Sequence, residues 1–463
     1  MDILLINSSF FELWEKNKSL RSIFPPLGLL YLAAVAEKKG HKVQIFDMHE
    51  RQSTLHEVVK EAKKKDLVGI TCVTPTANIT YNLSRMIKEE NPDIEIVVGG
   101  PHPSALPEEP LKTNNVDVVI VGEGEHTFSV LLDCLENGVN FSKVNGIYYK
   151  DGNEIHNTPL RKPIINLDSI PYPAYHLVDV KKYFYPYQKK RSLGSILTSR
   201  GCPNTCTYCN KNIFGCGFRC RTPESVVNEI IYMVEKHKVR DFLVCDDNFT
   251  ALKERAIKIC HIIRDENLDI EISFSNGLRV DKVDSEVLCE LKKAGCYLIG
   301  YGIESGKQKI LNSVKKNIKI DQIRRTVRLT KKFGINIVGY FIIGFPSDTE
   351  KSIKTTIKFS KDLNILSKFS ILTPYPGTEM FKMLEKEGRI LTYDWSKYGV
   401  HQEPIFKHPN LSSKQIFELY REAYRTIYSN PKLIIQEIFA TQDMIHFLNT
   451  IKTGWNLFGD FFR

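Results

Sequence analysis

Two successive series of short apolar, β-branched runs, each alternating with helical stretches, constrain the fold of this chain more than any other feature of its sequence. The first series comprises ILLIN (3–7), KVQIFD (42–47), LVGITCV (67–73), IEIVVGG (94–100) and VDVVIVGEGE (116–125). Strands that are apolar throughout and joined by helices form parallel sheets covered on both faces. The series therefore predicts a doubly wound α/β domain over residues 1–140.

The second series begins after a less regular stretch. Residues 141–192 contain a candidate hairpin, NGIYYKDGNEI, and a linker rich in Pro and Tyr. Six runs follow: SILTSRG (195–201), DFLVCDDNF (241–249), EISFSNGLR (271–279), YLIGYGIES (297–305), NIVGYFIIGFP (336–346) and FSILTPYPGT (369–378). Six strand–helix units predict a partial α/β barrel over 193–385, with functional groups at the carboxyl ends of its strands. Residues 386–463 are predicted to be helical.

Composition is that of an ordinary soluble protein with more than one domain: 463 residues, 42% hydrophobic and 25% charged. The net charge of +10 favours a solvated surface over a nucleic-acid partner. No run approaches the roughly 18 to 20 apolar residues of a membrane span, and the start, MDILLINSSF, is typical of a strand rather than an export signal. An odd number of cysteines, eleven, favours a reducing cytoplasm over a disulfide framework.

Three cysteines within ten residues, RGCPNTCTYC (200–209), predict a metal centre. Cys202, Cys206 and Cys209 are spaced so that one loop can direct three thiolates at a single centre. Zinc is disfavoured, because a structural zinc site needs four ligands and no second pair completes the set. Thiolates suit an iron–sulfur cluster, and three of them on a 4Fe-4S cluster would leave one iron open. Cys216 and Cys220 are rival candidates for a fourth ligand.

Glycines end two strands of the first series, in GGPHP (99–103) and GEGE (122–125). In doubly wound sheets ligands bind beyond the carboxyl ends of the strands, and glycine lets a backbone turn sharply or approach a ligand closely. Tight turns alone explain one of these motifs more easily than both. The pair therefore favours a bound cofactor at this edge.

Together these motifs resemble the radical S-adenosylmethionine (radical SAM) superfamily. The resemblance rests first on CxxxCxxC, with Tyr208 before the last cysteine, after the first strand of a partial barrel. PPLGLLYLAAVAEKKGHKVQIFD, VVGGPHPSALPEE and VDVVIVGEGE are similar to the cobalamin-binding domain that precedes the barrel in one large branch of that superfamily. SRGCPNTCTYCN, CDDNFT, GIESG, IIGFP and PYPGTEM match the rest of the branch's pattern, so nearly the whole chain to about residue 385 is covered.

The resemblance implies three cofactors: a 4Fe-4S cluster, SAM and cobalamin. Cys202, Cys206 and Cys209 would hold three irons, and SAM would chelate the fourth through its amino and carboxylate groups. Reductive cleavage of SAM would give methionine and a 5'-deoxyadenosyl radical that takes a hydrogen atom from an unactivated carbon. The residues expected near SAM are Tyr208, Asp246, Asn276, Arg279 and Glu304, with Asp247 beside them. For all of these except Tyr208 and Glu304, strand-end capping or an ion pair is the alternative.

For cobalamin the implied contacts are Thr71, Gly99, Gly100 and Glu123. Relatives that bind the cobalt through histidine carry DxHxxG after the first strand, whereas that loop reads NSSFFELWEKN here. Asp47 and His49, in FDMHERQ, form an incomplete match after the second strand, which we interpret as accidental. His102 is a candidate for facing the cobalt and equally a simple loop residue.

The function implied is that of a cobalamin-dependent radical SAM enzyme that methylates an unactivated carbon or a phosphinate phosphorus, with methylcobalamin as the methyl donor. The alternatives are a cyclase of the anaerobic Mg-protoporphyrin monomethyl ester cyclase type and a non-catalytic cobalamin or redox sensor. A methylthiotransferase is disfavoured, since it would need a second cysteine set in the N-terminal domain.

The implied partners are a small-molecule, lipid, tetrapyrrole or peptide substrate and an electron donor such as flavodoxin or ferredoxin, without nucleic acid or stable membrane insertion. Apolar residues near the C-terminus, including Ile434 and Phe439, would cover a greasy substrate or pack on the barrel.

Overall fold

The first series of apolar runs forms one sheet in the computed structural model of the protein, which describes residues 1–9, 22–185 and 187–429. Its parallel strands are β1 (Asp2–Asn7), β2 (Lys42–Asp47), β3 (Leu67–Thr71), β4 (Glu95–Gly99) and β5 (Val118–Ile120), followed by β6 (Ile147–Asp151) and β7 (Glu154–Asn157). The order across the sheet is β2-β1-β3-β4-β5-β6-β7. The strand order reverses at β1 and β3, where a crevice forms at the carboxyl edge of such sheets.

The hairpin of residues 147–157 belongs to this first sheet. Strand β6 pairs antiparallel with β5, with Val119 opposite Tyr148, and β7 pairs antiparallel with β6. The sequence predicts the hairpin but gives no sign of its attachment. The first sheet therefore continues into the segment predicted as a linker.

Helices cover both faces of this sheet, as apolar strands require. They are α1 (Leu27–Lys38), α2 (Met48–Arg51), α3 (Leu55–Ala62), α4 (Ala77–Glu90), α5 (Pro101–Ala105), α6 (Glu108–Leu111) and α7 (Glu125–Glu136). Local sequence sets several of their ends. Thr54 and Glu57 form a capping box at the start of α3, in which each side chain accepts a hydrogen bond from the backbone of the other residue.

The second series forms a six-stranded parallel sheet. Its strands are β8 (Leu193–Ile196), β11 (Asp241–Val244), β12 (Glu271–Leu278), β13 (Cys296–Glu304), β14 (Asn336–Ile343) and β15 (Leu366–Ile371), with a small hairpin of β9 (Ser199–Arg200) and β10 (Arg219–Cys220) after the first. The six lie side by side in chain order. The helices between them are α8 (Pro223–His237), α9 (Lys253–Asp265), α10 (Ser285–Lys293), α11 (Gln308–Ser313), α12 (Ile320–Lys332) and α13 (Glu350–Leu363). The predicted α/β class with a partial (β/α)6 barrel is confirmed.

The Tyr-rich linker packs across the amino ends of the barrel strands. Tyr183 and Tyr185 are buried in a cluster with Leu193, Leu243, Tyr297, Leu298 and Val338. The hydroxyls of Tyr185 and Tyr297 contact each other, and Tyr297 donates to the carboxylate of Asp241 at 3.0 Å. Burial raises the pKa of Asp241 to about 6. The linker therefore closes the barrel at the end opposite the cysteine loop.

The chain after the barrel is helical in two pieces, α14 (Glu379–Lys386) and α15 (Ser413–Tyr428). Between them, residues 387–412 contain one 3-10 turn and an isolated bridge between Ile390 and Phe406. Trp395 of this stretch is buried in the core of the first domain and donates from Nε1 to Glu109 at 2.5 Å. Residues 430–463, with the predicted apolar contacts of Ile434 and Phe439, lie outside the described residues. Within the described ranges, no helix is both long and apolar enough to cross a bilayer.

Candidate functional site

A cavity of about 560 Å³ lies between the two sheets. On one side it is lined by residues at the carboxyl ends of β3, β4 and β5 and by the loops that follow, and on the other by the loop after β9. All four residues predicted to contact cobalamin line it, together with two of the three predicted cluster ligands: Thr71, Gly99, Gly100, Glu123, Cys202 and Cys209. No histidine lines it in the part of the chain that is described.

The two glycines of GGPHP serve different purposes. Gly100 has a φ of 112°, and a Cβ there would lie 2.8 Å from the carbonyl oxygen of Cys72, so the turn itself requires glycine. Gly99 has no such constraint, because a Cβ there would meet only Ile120, at 3.8 Å. At Gly99 the missing side chain leaves cavity space rather than relieving a clash. This open edge fits a flat ligand lying close to the backbone.

The loop that carries the three cysteines is fixed at both ends. The N–H of Gly201 donates to Asp247 Oδ2 at 3.1 Å, and Gly201 itself, with φ 82°, leaves no room for a Cβ against the carbonyl of Gly217. At the other end Thr207 donates its N–H to the carbonyl oxygen of Val314 at 3.1 Å and accepts from the N–H of Met380 at 2.8 Å. The barrel thus holds residues 201–209, the cluster loop, in one conformation.

The donor set fits an iron–sulfur cluster better than a single ion. Cys202 and Cys206 are half-buried and Cys209 is reached by solvent in the cavity. Partial burial, followed by the charge of the neighbouring Cys206, raises the pKa of the Cys209 thiol to about 11. Among the described residues no three His, Cys, Asp or Glu side chains converge on one ion-sized point. A cluster does not require this, since it binds each thiolate to a different iron.

Cys216 and Cys220 lie on the segment that follows the cluster loop. Cys216 is exposed, directly before the Gly217 carbonyl that crowds Gly201. Cys220 is in β10, where it pairs with Ser199 of β9. Neither lines the cavity. A role for either as fourth ligand stays a prediction without structural support.

A buried group of charges joins the first domain to the cluster loop. Arg200, two residues before Cys202, forms ion pairs with Glu123 at 2.9 Å and Glu125 at 2.5 Å, and Arg219 pairs with Glu123 at 2.5 Å. Burial opposes the charge on Arg200, but Glu125 and Glu123 outweigh it and raise the pKa of the guanidinium. The sequence did not reveal this network, because its oppositely charged partners are 75 or more residues apart, as Glu125 and Arg200 are.

On the barrel side, Tyr208 and Glu304 lie close together. Tyr208 is packed against Phe345, ring centroids 5.5 Å apart, and burial, followed by the charge of Glu304, raises its pKa. Glu304 is buried, has a φ of 63°, and accepts from Lys316 Nζ at 2.7 Å. A Cβ on Gly302 would lie within 2.8 Å of both charged groups of this pair. Lys316 was missed in the sequence, since the run VKKNIK is typical of a solvated surface.

The other residues predicted near SAM have protein partners. The buried carboxylate of Asp246 accepts from the N–H and hydroxyl of Thr198 and the hydroxyl of Ser199, at 2.5 to 2.6 Å. Asn276 donates to the carbonyl oxygen of Asp246 at 2.9 Å. Arg279 pairs with Asp281 at 2.9 Å and donates to the carbonyl oxygen of Lys316 at 3.1 Å. These contacts match the alternative of capping and ion pairing, while Asp247, which lines the cavity, has its pKa raised by burial.

Neither candidate histidine of the first domain lines the cavity. His102 is fully buried in α5, where Nε2 is 3.2 Å from the hydroxyl of Tyr81 and the ring packs edge-on against Trp395. His49 lies in α2, after the edge strand β2, with Nδ1 3.1 Å from the hydroxyl of Ser9. The loop NSSFFELWEKN falls outside the described residues from position 10 onward.

Comparison with known proteins agrees with this arrangement. The B12 binding domain model matches residues 17–132, and the Radical SAM superfamily model matches 196–360. The chain is 36% identical to the uncharacterized methyltransferase PH0819 of Pyrococcus horikoshii over 91% of each chain. This chain belongs to the cobalamin-binding radical SAM enzymes.

Two further similarities place this radical SAM enzyme in context. It is 29% identical to the anaerobic magnesium-protoporphyrin IX monomethyl ester cyclase of Rubrivivax gelatinosus, over 90% of this chain and 76% of the cyclase. Its fold matches the cobalamin-dependent SAM radical enzyme OxsB, solved with aqua-cobalamin and SAM bound, with a TM-score of 0.74 and 18% identity over 96% of this chain and 72% of OxsB. The predicted family, fold class and cofactor set are confirmed, while the individual cofactor contacts stay predictions.

Proposed function

We propose that this protein is a cobalamin-dependent radical SAM methyltransferase that acts on an unactivated carbon or a phosphinate phosphorus. The observation that carries the proposal is the shared cavity: residues at the carboxyl ends of the first sheet and two cysteines of the cluster loop line the same space. A methyl-carrying cofactor and a radical-generating one must both reach a single substrate atom. The similarity to the uncharacterized methyltransferase of Pyrococcus horikoshii supports this choice.

In this proposal the segments divide the work. Residues 1–140 bind cobalamin, 193–385 bind the cluster and SAM, and 141–192 join the two. Cys202, Cys206 and Cys209 hold the cluster. Tyr208 and Glu304 contact SAM most directly, with Asp246, Asn276 and Arg279 shaping the strand ends around it; Thr71, Gly99, Gly100 and Glu123 border cobalamin. When bound, the cluster and SAM would supply the radical that abstracts a hydrogen atom, and cobalamin would supply a methyl group.

The residues of the protein itself exclude water from the cavity and fix the geometry of the site. Leu5, Leu27, Leu32 and Ile70 help make the cavity lining mainly apolar, which excludes water from reactive species. The pairs of Arg200 with Glu123 and Glu125 tie the cluster loop to the cobalamin side, so that the two halves of the site keep one spacing. Such fixed geometry is what orientation contributes to catalysis.

Methyl transfer is distinguished from cyclisation by the products of SAM. Anaerobically reconstituted protein, supplied with cobalamin, reductant and methyl-labelled SAM, is expected to release S-adenosylhomocysteine as well as 5'-deoxyadenosine, measured by mass spectrometry. A cyclase of the Rubrivivax type needs no methyl transfer and would give 5'-deoxyadenosine without S-adenosylhomocysteine, which would favour that alternative. Release of neither product would favour a non-catalytic sensor.

Lys316 is expected to position Glu304 for SAM. In Lys316→Met the buried Glu304 carboxylate loses its partner, and we expect SAM affinity to fall at least about tenfold, alongside a loss of stability of about 3–5 kcal/mol. The double variant Lys316→Met, Glu304→Gln removes the buried charge and should recover stability but not affinity. Equilibrium dialysis of SAM and denaturant unfolding measure the two effects. If the double variant recovers SAM affinity as well, Lys316 and Glu304 are structural only.

The substrate class proposed is a small molecule, lipid, tetrapyrrole or peptide, and the compartment a reducing cytoplasm. None of the eleven cysteines is joined in a disulfide, and seven of them are not fully buried: Cys202, Cys206, Cys209, Cys216, Cys220, Cys245 and Cys289. So many accessible thiols, next to an oxygen-sensitive cluster, suit a reducing and anaerobic setting. The reducing electron is proposed to come from a flavodoxin or ferredoxin.

A further inference from the structure

The net positive charge of the chain is concentrated in one part of the barrel. Residues 307–363 contain fourteen Lys and Arg against four Asp and Glu, a net charge of +10 that equals the charge of the entire chain. The rest of the chain has fifty Lys and Arg and fifty Asp and Glu, so it has no net charge. Of the fourteen basic side chains only Lys316 is buried, and the other thirteen are exposed.

These exposed side chains lie on helices α11, α12 and α13 and on the loop 314–319, and we call them together the basic face. Arg324 of α12 stacks on Phe359 of α13, with the guanidinium carbon 4.6 Å from the ring centroid. At the other end of the helices, Lys331 donates to the carbonyl oxygens of Leu363 and Asn364, at 2.7 Å each. The C-terminal part of α13 therefore lies beside α12.

Little within the chain neutralises this charge. Among the exposed basic residues of the face, and within the described ranges, only Lys315 and Lys354 form ion pairs, with Glu379 and Glu350. Arg325, Arg328 and Lys332 have none there, and their spacing puts them on one side of α12. Like charges at this density repel one another, and a bound partner of opposite charge would relieve that repulsion.

The chemistry of the face favours an acidic protein over a membrane or a nucleic acid. No large apolar side chain is exposed within residues 307–363. Attachment to a bilayer uses inserted Trp, Phe or Leu side chains beside the basic ones, and binding of single-stranded nucleic acid uses exposed aromatic platforms. A purely charged surface instead serves electrostatic steering of a weakly bound protein.

The basic face begins at the cluster loop. Val314, whose carbonyl oxygen accepts the N–H of Thr207 at 3.1 Å, directly precedes Lys315. Thr207 lies between two of the three predicted cluster ligands. A protein that covers the start of this face, at Lys315, would therefore lie against the loop that holds the cluster, and the rest of its contact would extend along α12.

We propose that the basic face docks an acidic, low-potential one-electron carrier protein of the flavodoxin or ferredoxin class, which reduces the cluster. The proposal rests on the proposed function, because cleavage of SAM requires an electron from outside the chain. In the docked complex one electron leaves the carrier, which is oxidised by one electron, and enters the cluster, which is reduced by one. Complexes of this kind are small and sensitive to salt.

The test is charge reversal along α12. The triple variant Arg325→Glu, Arg328→Glu, Lys332→Glu is compared with a matched triple on the first domain, Lys38→Glu, Lys60→Glu, Lys64→Glu, whose lysines are also exposed. Two quantities are measured: the affinity for an oxidised acidic flavodoxin, and the anaerobic stopped-flow rate at which the reduced flavodoxin bleaches the cluster. We expect both to fall at least about tenfold at low salt in the α12 triple, with a flattened salt dependence, and to change less than about twofold in the control.

An unchanged affinity and rate in the α12 triple, or equal losses in both triples, would overturn the proposal. So would binding of the wild-type protein to phosphatidylglycerol vesicles or single-stranded RNA that the α12 triple loses while its reduction by flavodoxin is unaffected. Dithionite needs no docking surface and should reduce all three proteins at the same rate. Failure of dithionite to reduce the wild-type cluster would count against the proposed function and not against the docking surface.

Discussion

Replacing Cys202, Cys206 and Cys209 together by alanine is expected to abolish the broad iron–sulfur absorbance of the anaerobically reconstituted protein, and with it SAM cleavage. The three thiols are the ligands that one short loop presents, and removing them leaves the cluster without attachment on that loop. None of the three is fully buried, so the loss of sulfur opens no cavity in the core. Iron and sulfide content, visible absorbance and 5'-deoxyadenosine release measure the effect, with an unchanged unfolding midpoint as evidence of an intact fold.

The matched controls are the single variants Cys216→Ala and Cys220→Ala. Both cysteines lie within the same short region of the chain, yet neither lines the cavity, and Cys220 is engaged in the β9–β10 hairpin. Each variant should retain the cluster and its absorbance. Loss of the cluster in either one would contradict a three-cysteine, open-iron centre, and SAM cleavage that survived in the triple variant would contradict the radical SAM assignment of this loop.

The fold was predictable where local pattern determines it. Each of the eleven parallel strands begins within about three residues of an apolar run in the sequence, because a strand buried on both faces leaves no room for polar residues. Chain order then gives the barrel, since consecutive strand–helix units pack side by side. The attachment of the hairpin β6–β7 to β5 was not predictable, as its strands carry no mark of which edge they will pair with.

Residues 387–412 differ from the prediction, because they were expected to be helical and contain only one 3-10 turn. Trp395 packs in the core of the first domain and its indole N–H reaches Glu109, 286 residues earlier in the chain. A single aromatic residue in an irregular stretch has no periodicity from which such a distant contact can be inferred. The contact ties the C-terminal part of the chain to the cobalamin-binding half of the molecule.

The residues of the candidate site were likewise only partly predictable from the sequence. Cys202, Cys206 and Cys209 were predictable because their spacing is itself the signal. Lys316 was not, since its neighbour Lys315 is exposed and its partner Glu304 lies 12 residues earlier in the chain. Arg200 was equally hidden: the motif around it is recognisable, but its buried partners lie in another domain.

Gly99→Val is expected to weaken cobalamin binding while leaving the cobalamin-free protein at least as stable. In the empty site a side chain at this position meets only Ile120, so the added methyl groups occupy cavity space. With cobalamin bound, the same groups overpack the site at a cost of about 1–3 kcal/mol, which corresponds to a rise in Kd of about 5-fold to 150-fold. Replacing glycine at a position with ordinary backbone angles also gains about 0.4–1 kcal/mol by restricting the unfolded chain. The affinity of Gly99→Ala for cobalamin should lie between that of the wild-type protein and that of Gly99→Val.

His49→Ala provides the control for this series. His49 is absent from the cavity lining, and the sequence of residues 10–21 contains no histidine. The variant should therefore keep the wild-type Kd, and electron paramagnetic resonance of the cob(II)alamin form should show no nitrogen superhyperfine splitting in either protein. A triplet splitting that disappears in His49→Ala would make FDMHERQ a true ligand motif. For Gly99→Val, the Kd is measured by equilibrium dialysis and the unfolding midpoint is measured beside it. An unchanged Kd would place cobalamin away from the edge formed by β4 and β5, because a ligand lying against that edge cannot share the space with the added side chain.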